Sequence, residues 1–584
     1  MSIFNKNWKL HDPAPREFLD AIPDISDITA QILWNRGIRK EKNIKTFLNP
    51  SYEKDLHDPF LMKDMDRAVE RISKAIKENQ KIFIYGDYDA DGVCASTLLK
   101  ESLEKLGADD VGVYIPHREE EGYGMSIAAL DEVIDDGAEL IITVDCGSTN
   151  VDEAQYAEDK GVDVVITDHH QVMENQRFSY ALVNPHQNGD EYPFKDICGT
   201  AVAFKVVQAL EAHMSAESGE PILQEGEEKW MLDLVGIATV TDVMPLVDEN
   251  RAFVKYGLLV LAQSKRPGLR ALMEVAGINP KTNKKERTTN LDSFHLGFMI
   301  GPRINAAGRM DHAQLAFNLL NSSDISSARK LAWELEDRNR ERRKLVKDII
   351  SEIDESDLDS SAAIYQGRKH WPIGVLGIVA GRLAELYNKP SFIYQIQDGK
   401  IVGSVRTPEY ANTVGILKKA SSVLTKFGGH AQAGGFTTDP KNENTLGKNI
   451  EKIVKKDISN LKTVELKPMI KIDMELSGKE ISWETYKSTG LCAPFGEANP
   501  RPIFALRGAI IQNINMVGSK EDHMKCDILT SKGKRFSAIG FRFADMVQDL
   551  KSDDKVDIAF EIDKNEWNGD ISLQLKLVDI KKYE

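Results

Sequence analysis

From Lys81 onward the chain alternates short apolar runs with amphipathic stretches. Ile82–Tyr85, Val111–Ile115, Leu140–Val144 and Val164–Thr167 are apolar runs of strand length. The segments between them, about Val93–Leu106, Ser126–Asp135 and Asp152–Lys160, predict helices. Strands alternating with helices of this length predict a parallel sheet covered on both faces. Before Lys81 there are two short helical stretches, and the second, about Met65–Asn79, sets Ala68, Ile72 and Ile76 on one face. Packing against the next domain is the expected role of residues 1–80.

After this first α/β unit, residues 81–323, the pattern turns more helical. Met231, Leu234, Val235 and Ala238 form an apolar stripe within Glu227–Thr241, which ends at Asp242-Val-Met-Pro245. Gly301-Pro-Arg-Ile-Asn-Ala-Ala-Gly-Arg309 reads as a glycine-punctuated loop rich in cation and amide. A long amphipathic helix, about Asp324–Ile353, has a strongly charged middle at Glu334–Lys344. A helix polar all round at its centre bridges two domains or lies on the surface, and residues 324–357 are read as a connector. A second, smaller α/β unit follows over 358–460, with runs at Ala362–Tyr365, Gly374–Leu386 and Ser391–Gln395. It also holds a glycine cluster at Gly428–Gly435 and a lysine-rich helix, Glu443–Lys456. In 461–584 strand alternation takes over, as in Ile470–Leu476, Val556–Ile562 and Ile571–Leu577, with a turn signal at Asn568-Gly569. The reading is an all-β module, an OB-type barrel or another small barrel.

Composition narrows the class without naming a substrate. Hydrophobic residues at 41% and charged residues at 28% describe an ordinary globular chain of several domains. No apolar run approaches a membrane span, and the N-terminus lacks the apolar core of a signal peptide. Five scattered cysteines without a C-x-x-C pair predict a reducing, cytoplasmic setting and no zinc site. The net charge of −16 counts against a nucleic-acid partner only weakly, because a local basic channel can coexist with an acidic exterior.

Polar clusters at the strand ends carry the chemistry. Ile82–Tyr85 breaks at Gly86 into Asp87-Tyr-Asp-Ala-Asp-Gly92, which places three carboxylates at alternate positions. An EF-hand loop also begins this way, but it needs a preceding helix and a Glu at its twelfth position, where this chain has Leu98. The third strand ends in Asp145-Cys-Gly-Ser and the fourth in Asp168-His169-His170, with Asp242 a further contributor. Open α/β sheets place ligands at such ends. Taken singly, Asp145 reads as a turn residue and the adjacent histidines as surface accidents; the combination favours a site. Oxygen ligands with one or two imidazoles suit Mn²⁺ or Mg²⁺. The number of carboxylates suits two ions roughly 3.5–4 Å apart, the arrangement that supports phosphoester hydrolysis.

Asp87–Gly92, Val144–Ser148 and Asp168-His-His170 resemble the motifs of the DHH phosphoesterase family, and Gly428-Gly-His-Ala-Gln-Ala-Gly-Gly435 resembles the glycine-rich motif of its DHHA1 partner domain. Tyr114–Gly124, Asp242–Leu246 and Gly301–Arg309 are similar to blocks of the family's single-strand-specific exonuclease branch. The resemblance implies a parallel-sheet DHH domain, a connecting helix, a smaller α/β DHHA1 domain and an OB-like module. It also implies a 5′→3′ exonuclease on single-stranded DNA that releases 5′-mononucleotides in recombination and repair.

By position, Asp89 and Asp145 would hold one ion with support from Asp87. Asp91, Asp145, His169 and Asp242 would hold the other, and His170 would face the scissile phosphate. Many relatives have His where this chain has Tyr85. Arg118, Arg303, Asn305, Arg309, Arg406, Gly429 and His430 are the implied substrate contacts, and Trp567 is a candidate for base stacking or for the core. The implied enzyme is a monomer, and a single-strand-binding protein and a helicase are the partners such a role would call on. The alternatives are a DHH hydrolase of small phosphates, such as a nanoRNase or cyclic-dinucleotide phosphodiesterase, and a non-catalytic single-strand-binding scaffold.

Overall fold

The computed structural model describes every residue except 1–3, 5, 173–179, 284, 355–357, 359, 460, 463–465, 548, 568 and 584. Ile82–Tyr85 forms strand β1, buried at all four positions, as expected for a strand covered on both faces. Helix α1 (Met65–Lys77) precedes it and α2 (Ala90–Lys105) follows it. The chain then runs through β2 (Val111–Tyr114), α3 (Ile127–Asp135), β3 (Leu140–Val144), α4 (Val151–Asp159), β4 (Asp163–Thr167) and β5 (Ala181–Val183). All these strands pair in parallel, in the order β2-β1-β3-β4-β5. The chain therefore leaves β1 toward one side for β2 and returns to the other side for β3. That reversal opens a crevice beyond the C-terminal ends of β1 and β3. Helices α5 (Gly199–Ser218) and α6 (Leu232–Thr241) pack with α1 and α2 over one face, in the largest hydrophobic core. Phe83, Leu130, Ile141 and Ile166 belong to the core on the other face.

Two expectations need correction. Gly301–Arg309 is not a loop; it lies within helix α7 (Gly301–Met310), which a π-helical turn, His295–Ile300, leads into. Its glycines serve close packing, since a Cβ on Gly301 would collide with Thr241 and one on Gly308 with the Tyr88 carbonyl. Nor does the whole N-terminal segment pack on the first domain. Asn7–Leu10 pairs in parallel with Met469–Ile472, and Ile32, Leu33, Ile44 and Phe47 share a core with the C-terminal module.

The long helix α8 (Ile325–Ser351) joins two cores. Ala328, Ala332 and Leu335 belong to the core of the first domain, while Val346 and Ile349 belong to the next. Beyond it, β6 (Ile364–Arg368), α9 (Ile373–Tyr387), β7 (Ser391–Gln397), β8 (Lys400–Arg406), β9 (Lys426–Gly429), β10 (Ala433–Thr438) and α10 (Glu443–Ser459) form the second α/β unit. Its mixed sheet has the order β9-β10-β8-β7-β6.

The C-terminal strands are β11 (Phe504–Val517), β12 (His523–Leu529), β13 (Arg535–Gly540), β14 (Lys555–Trp567) and β15 (Asp570–Lys582). They follow one another as β11-β12-β13-β15-β14, and β14 pairs back with β11, so the sheet closes into an OB-like barrel. The expected turn residue Asn568 lies outside the described residues, as does the Trp567 side chain. Among the described residues, no helix is long and apolar enough to cross a membrane. The five cysteines are all buried and free.

Candidate metal centre

The crevice at the β1/β3 reversal gathers Asp87, Asp89, Asp91, Asp145, His169, His170 and Asp242. Asp89 caps α2: its Oδ1 accepts from the N–H groups of Asp91 (2.8 Å) and Gly92 (3.2 Å). The helix therefore begins at Ala90, earlier than the apolar pattern suggested. Asp91 is held by the start of α5, accepting from Gly199 N–H (2.6 Å) and from Thr200 N–H (2.7 Å) and Oγ1–H (2.6 Å). Such a helix N-terminus favours a carboxylate.

Asp145 leaves β3 in the left-handed region with φ 61°. A conformation of this kind costs on the order of 1–3 kcal/mol. Tyr123 Oη–H donates to the Asp145 carbonyl (3.2 Å). Gly199 is required beside it, because a Cβ there would lie 2.6 Å from Asp145 Cβ.

Ligand atoms fall into overlapping groups: Asp87, Asp89 and Asp145; Asp91, His169 and Asp242; and Asp145 with His169 and His170. His169 Nε2 lies 3.1 Å from Asp145 Oδ1, 3.5 Å from Asp242 Oδ2 and 3.8 Å from Asp91 Oδ2. Yet His169 Nε2, Asp87 Oδ1, Asp145 Oδ1 and Asp242 Oδ2 are buried and make no hydrogen bond among the described residues. Burial pushes the carboxyls of Asp87, Asp145 and Asp242 up, and the neighbouring aspartates push them further. Burial also lowers His169, leaving a neutral imidazole suited to ligation. Four orphaned donor atoms aimed at shared points, in an oxygen-rich set with one imidazole, fit hard or borderline divalent cations such as Mn²⁺ or Mg²⁺.

Asp168 falls in none of these groups. Its Oδ2 accepts from Ser148 N–H (2.9 Å). Its Oδ1 accepts from the N–H groups of His169 (2.7 Å) and His170 (3.2 Å) and contacts His170 Nδ1 at 2.8 Å. Burial would raise its carboxyl, but the hydrogen bond and charge of His170 outweigh that and hold it below the usual range. The converse holds for His170: burial lowers it, the Asp168 carboxylate overrides burial, and the imidazole is pushed up to about 9. Tyr123 Oη also reaches His170 Nδ1 (2.9 Å). Sequence reasoning missed Tyr123, although it lies inside the Tyr114–Gly124 block. Tyr85 takes no place in the centre. Its ring is fully buried on the far face of the sheet against Tyr114, and its hydroxyl donates to the Gly124 carbonyl (3.2 Å).

Comparison with known proteins assigns the chain. Residues 81–239 match the N-terminal domain of the DHH family, residues 359–456 the DHHA1 domain and residues 472–579 the RecJ OB domain. The single-stranded-DNA-specific exonuclease RecJ of Bacillus subtilis is 33% identical over 561 residues, 95% of this chain and 68% of the relative. RecJ of Haemophilus influenzae is 31% identical, with 92% of each chain covered. The chain belongs to the RecJ family.

The crystal structure of Thermus thermophilus RecJ in complex with Mn²⁺ superposes with a TM-score of 0.82 at 28% identity, covering 99% of this chain and 80% of that one. The same RecJ is also known in complex with Mg²⁺.

In this RecJ-family chain, arginines gather around the acidic crevice. Arg309, near the end of α7, donates to the Gly374 carbonyl (3.1 Å) at the start of α9. Burial and the neighbouring Arg118 push Arg309 down to about 10, and the same two causes lower Arg406. Arg118 stacks over Tyr88 with 4.7 Å to the ring centroid. Asp89 acts on Arg309 in the opposite sense, and Arg118 in turn lowers Asp87, so the cations border the carboxylates of the crevice. Arg303 is placed differently, its Nε 2.7 Å from Glu336 Oε2, with Arg340 and Arg343 on the other oxygen of the same carboxylate. Asn305 Oδ1 accepts from Ala90 N–H (2.8 Å), so it fixes the start of α2. Gly429, φ 135°, lies where a Cβ would strike the Ala433 carbonyl, and His430 is exposed at the tip of that hairpin.

Proposed function

We propose that the chain is a single-stranded-DNA-specific exonuclease that degrades 5′→3′ and releases 5′-mononucleotides by two-metal phosphodiester hydrolysis. The observation that carries this reading is the set of four orphaned, buried donor atoms at the β1/β3 crevice in a RecJ-family chain. The OB barrel supports a strand substrate over the small phosphates that shorter DHH relatives cleave, and the complete set of acidic and imidazole groups favours an enzyme over a scaffold.

Asp87, Asp89 and Asp145 would hold one ion, and Asp91, His169 and Asp242, with Asp145 shared, the other. Two Mn²⁺ or Mg²⁺ ions, when bound, supply an activated nucleophile and neutralise charge developing at phosphorus. The residues themselves position the substrate. Asp168 and Tyr123 fix His170 through Nδ1, leaving Nε2 to donate to a non-bridging oxygen of the scissile phosphate. Arg118, Arg309 and Arg406 would bind phosphate oxygens, which guanidinium forks match bidentately. Asn305 and Arg303 act on this surface by holding α2 and α8, and Gly429 and His430 would border the strand from the DHHA1 side. Double-stranded DNA would be rejected by the width of the path between the two α/β domains. As a monomer in the cytoplasm, such an enzyme would be supplied with strand by a helicase and would meet DNA coated by a single-strand-binding protein.

The test is incubation with Mn²⁺ and 5′-labelled single- or double-stranded DNA. Label released as mononucleotide from single strands alone is expected. Inert DNA together with cleaved dinucleotides would transfer the chain to the small-phosphate hydrolases.

A further inference from the structure

Phe294 and Phe298 face solvent although a phenylalanine ordinarily contributes most when buried. They are 54% and 71% exposed, and Phe298 is the most exposed large apolar side chain among the described residues. Their rings stack, with centroids 5.1 Å apart and planes 21° apart. The π-helical turn that carries Phe298, His295–Ile300, is a rare geometry that concentrates at functional sites.

This turn is fixed against the metal centre. A Cβ on Gly297 would lie 3.2 Å from Val240 Cγ1, and Gly301 is pressed on Thr241, so the turn abuts the two residues before Asp242. Val243, just after Asp242, has φ 57° and is itself exposed, adding apolar surface at the rim. On one side the turn is held by Arg303, whose Nη1 donates to the Met299 carbonyl (2.5 Å) and whose Nε pairs with Glu336. On the other side the same segment touches the C-terminal module. Ser293 Oγ–H donates to the Phe495 carbonyl, Arg501 pairs with Asp292 at 2.6 Å, and the Arg501 guanidinium lies over the Phe495 ring.

We propose that Phe294 and Phe298 form a base-stacking platform for single-stranded DNA between the OB barrel and the metal centre. The inference rests on the exonuclease reading and adds to it a contact to the bases. An exposed, stacked pair of aromatic rings suits a single strand, because every base offers a π-face. Stacking of this kind is indifferent to sequence, which suits an enzyme that must consume any strand.

The experiment uses the full-length chain with 5′-fluorescent oligonucleotides in EDTA, followed by anisotropy. One abasic position is moved stepwise along the strand. The wild type should lose about five- to tenfold in affinity when the gap meets the platform, the lower end of base–aromatic stacking. Phe298→Ala should bind the intact strand weaker by the same factor and show a flat abasic profile. With Mn²⁺ its KM should rise while kcat at saturating strand stays within about twofold. Phe298→Trp should restore the profile, and Phe298→Leu, apolar but without a ring, should not.

A flat profile in the wild type, or Leu serving as well as Phe, overturns the platform even if the strand is degraded normally. A wild-type chain that neither binds nor degrades single strands overturns the exonuclease reading, and the platform with it.

Discussion

Asp168→Asn separates a residue that orients the site from one that holds metal. The carboxylate satisfies Ser148 N–H through Oδ2, and the His169 and His170 N–H groups and His170 Nδ1 through Oδ1. A carboxamide has one acceptor oxygen, and it will face the Oδ1 side, where three donors wait. Its NH₂ then opposes Ser148 N–H, and one buried donor left unpaired costs about 1–3 kcal/mol. The bond to His170 also changes from charge-assisted to neutral, which roughly halves its strength, a loss of about 1 kcal/mol. Together these predict a chain destabilised by about 2–4 kcal/mol that remains folded, with a cleavage rate lowered about 10- to 100-fold, as when the partner of a site histidine is removed. Mn²⁺ titration by calorimetry should still find two ions, because Asp168 contributes to none of the ligand groups. Single-turnover cleavage of 5′-labelled strands supplies the rate, and Asp168→Asn added to His170→Ala should cost nothing further. Loss of one ion, or a rate within about twofold of wild type, would refute the orienting role.

Asp145→Ala, which removes the carboxylate proposed to be shared by both ion sites, should abolish hydrolysis while single-strand binding in EDTA survives; substantial hydrolysis by that variant in Mn²⁺ would sink the assignment. Tyr85→Phe should leave ion stoichiometry and cleavage within about twofold and cost about 1 kcal/mol for the Gly124 carbonyl it abandons; a missing ion would show that the ring reaches the metal after all. His57 Nε2 lies 2.6 Å from Asp248, a hydrogen bond that raises the imidazole, while Asp248, despite burial, is lowered by the same bond. Stability from the raised His is complete below about pH 6.5 and fades as pH climbs through its folded value. That from the lowered Asp is complete above about pH 4 and fades on further acidification. The melting gap between wild type and His57→Gln should therefore be larger at pH 6 than at pH 8.5, and an equal or reversed gap in a thermal scan would remove the pair from the account.

What the sequence made legible is what local chemistry dictates. Four apolar runs, three of them closed by Asp87–Asp91, Asp145 and Asp168–His170, specify a parallel sheet and its ligand-bearing edge, because strand, turn and carboxylate lie within a few residues of one another. Asp242 showed locally only as the end of an apolar helical stripe, and its part in the site was implied by the family resemblance; its place 3.5 Å from His169 depends on how α6 crosses the sheet. Asp168 and His169 are indistinguishable by pattern. Only the fold shows one spending its oxygens on backbone and His170 while the other leaves Nε2 unpaired among carboxylates.

The errors share a cause, contacts between residues far apart in the chain. Glycines in Gly301–Arg309 suggested a loop because their partners, Thr241 and the Tyr88 carbonyl, lie in distant segments. Asn7–Leu10 could not be seen to pair with Met469–Ile472, since no local signal names a partner that remote. Tyr85 shows the same limit from the other direction. It stands where many relatives of the resembled family carry histidine, yet the pleat turns its ring into the far core, and Asp87 stands in the group with Asp89 and Asp145. The substitution therefore leaves a complete oxygen set in place, because the carboxylate comes from the turn after β1 and not from the strand itself.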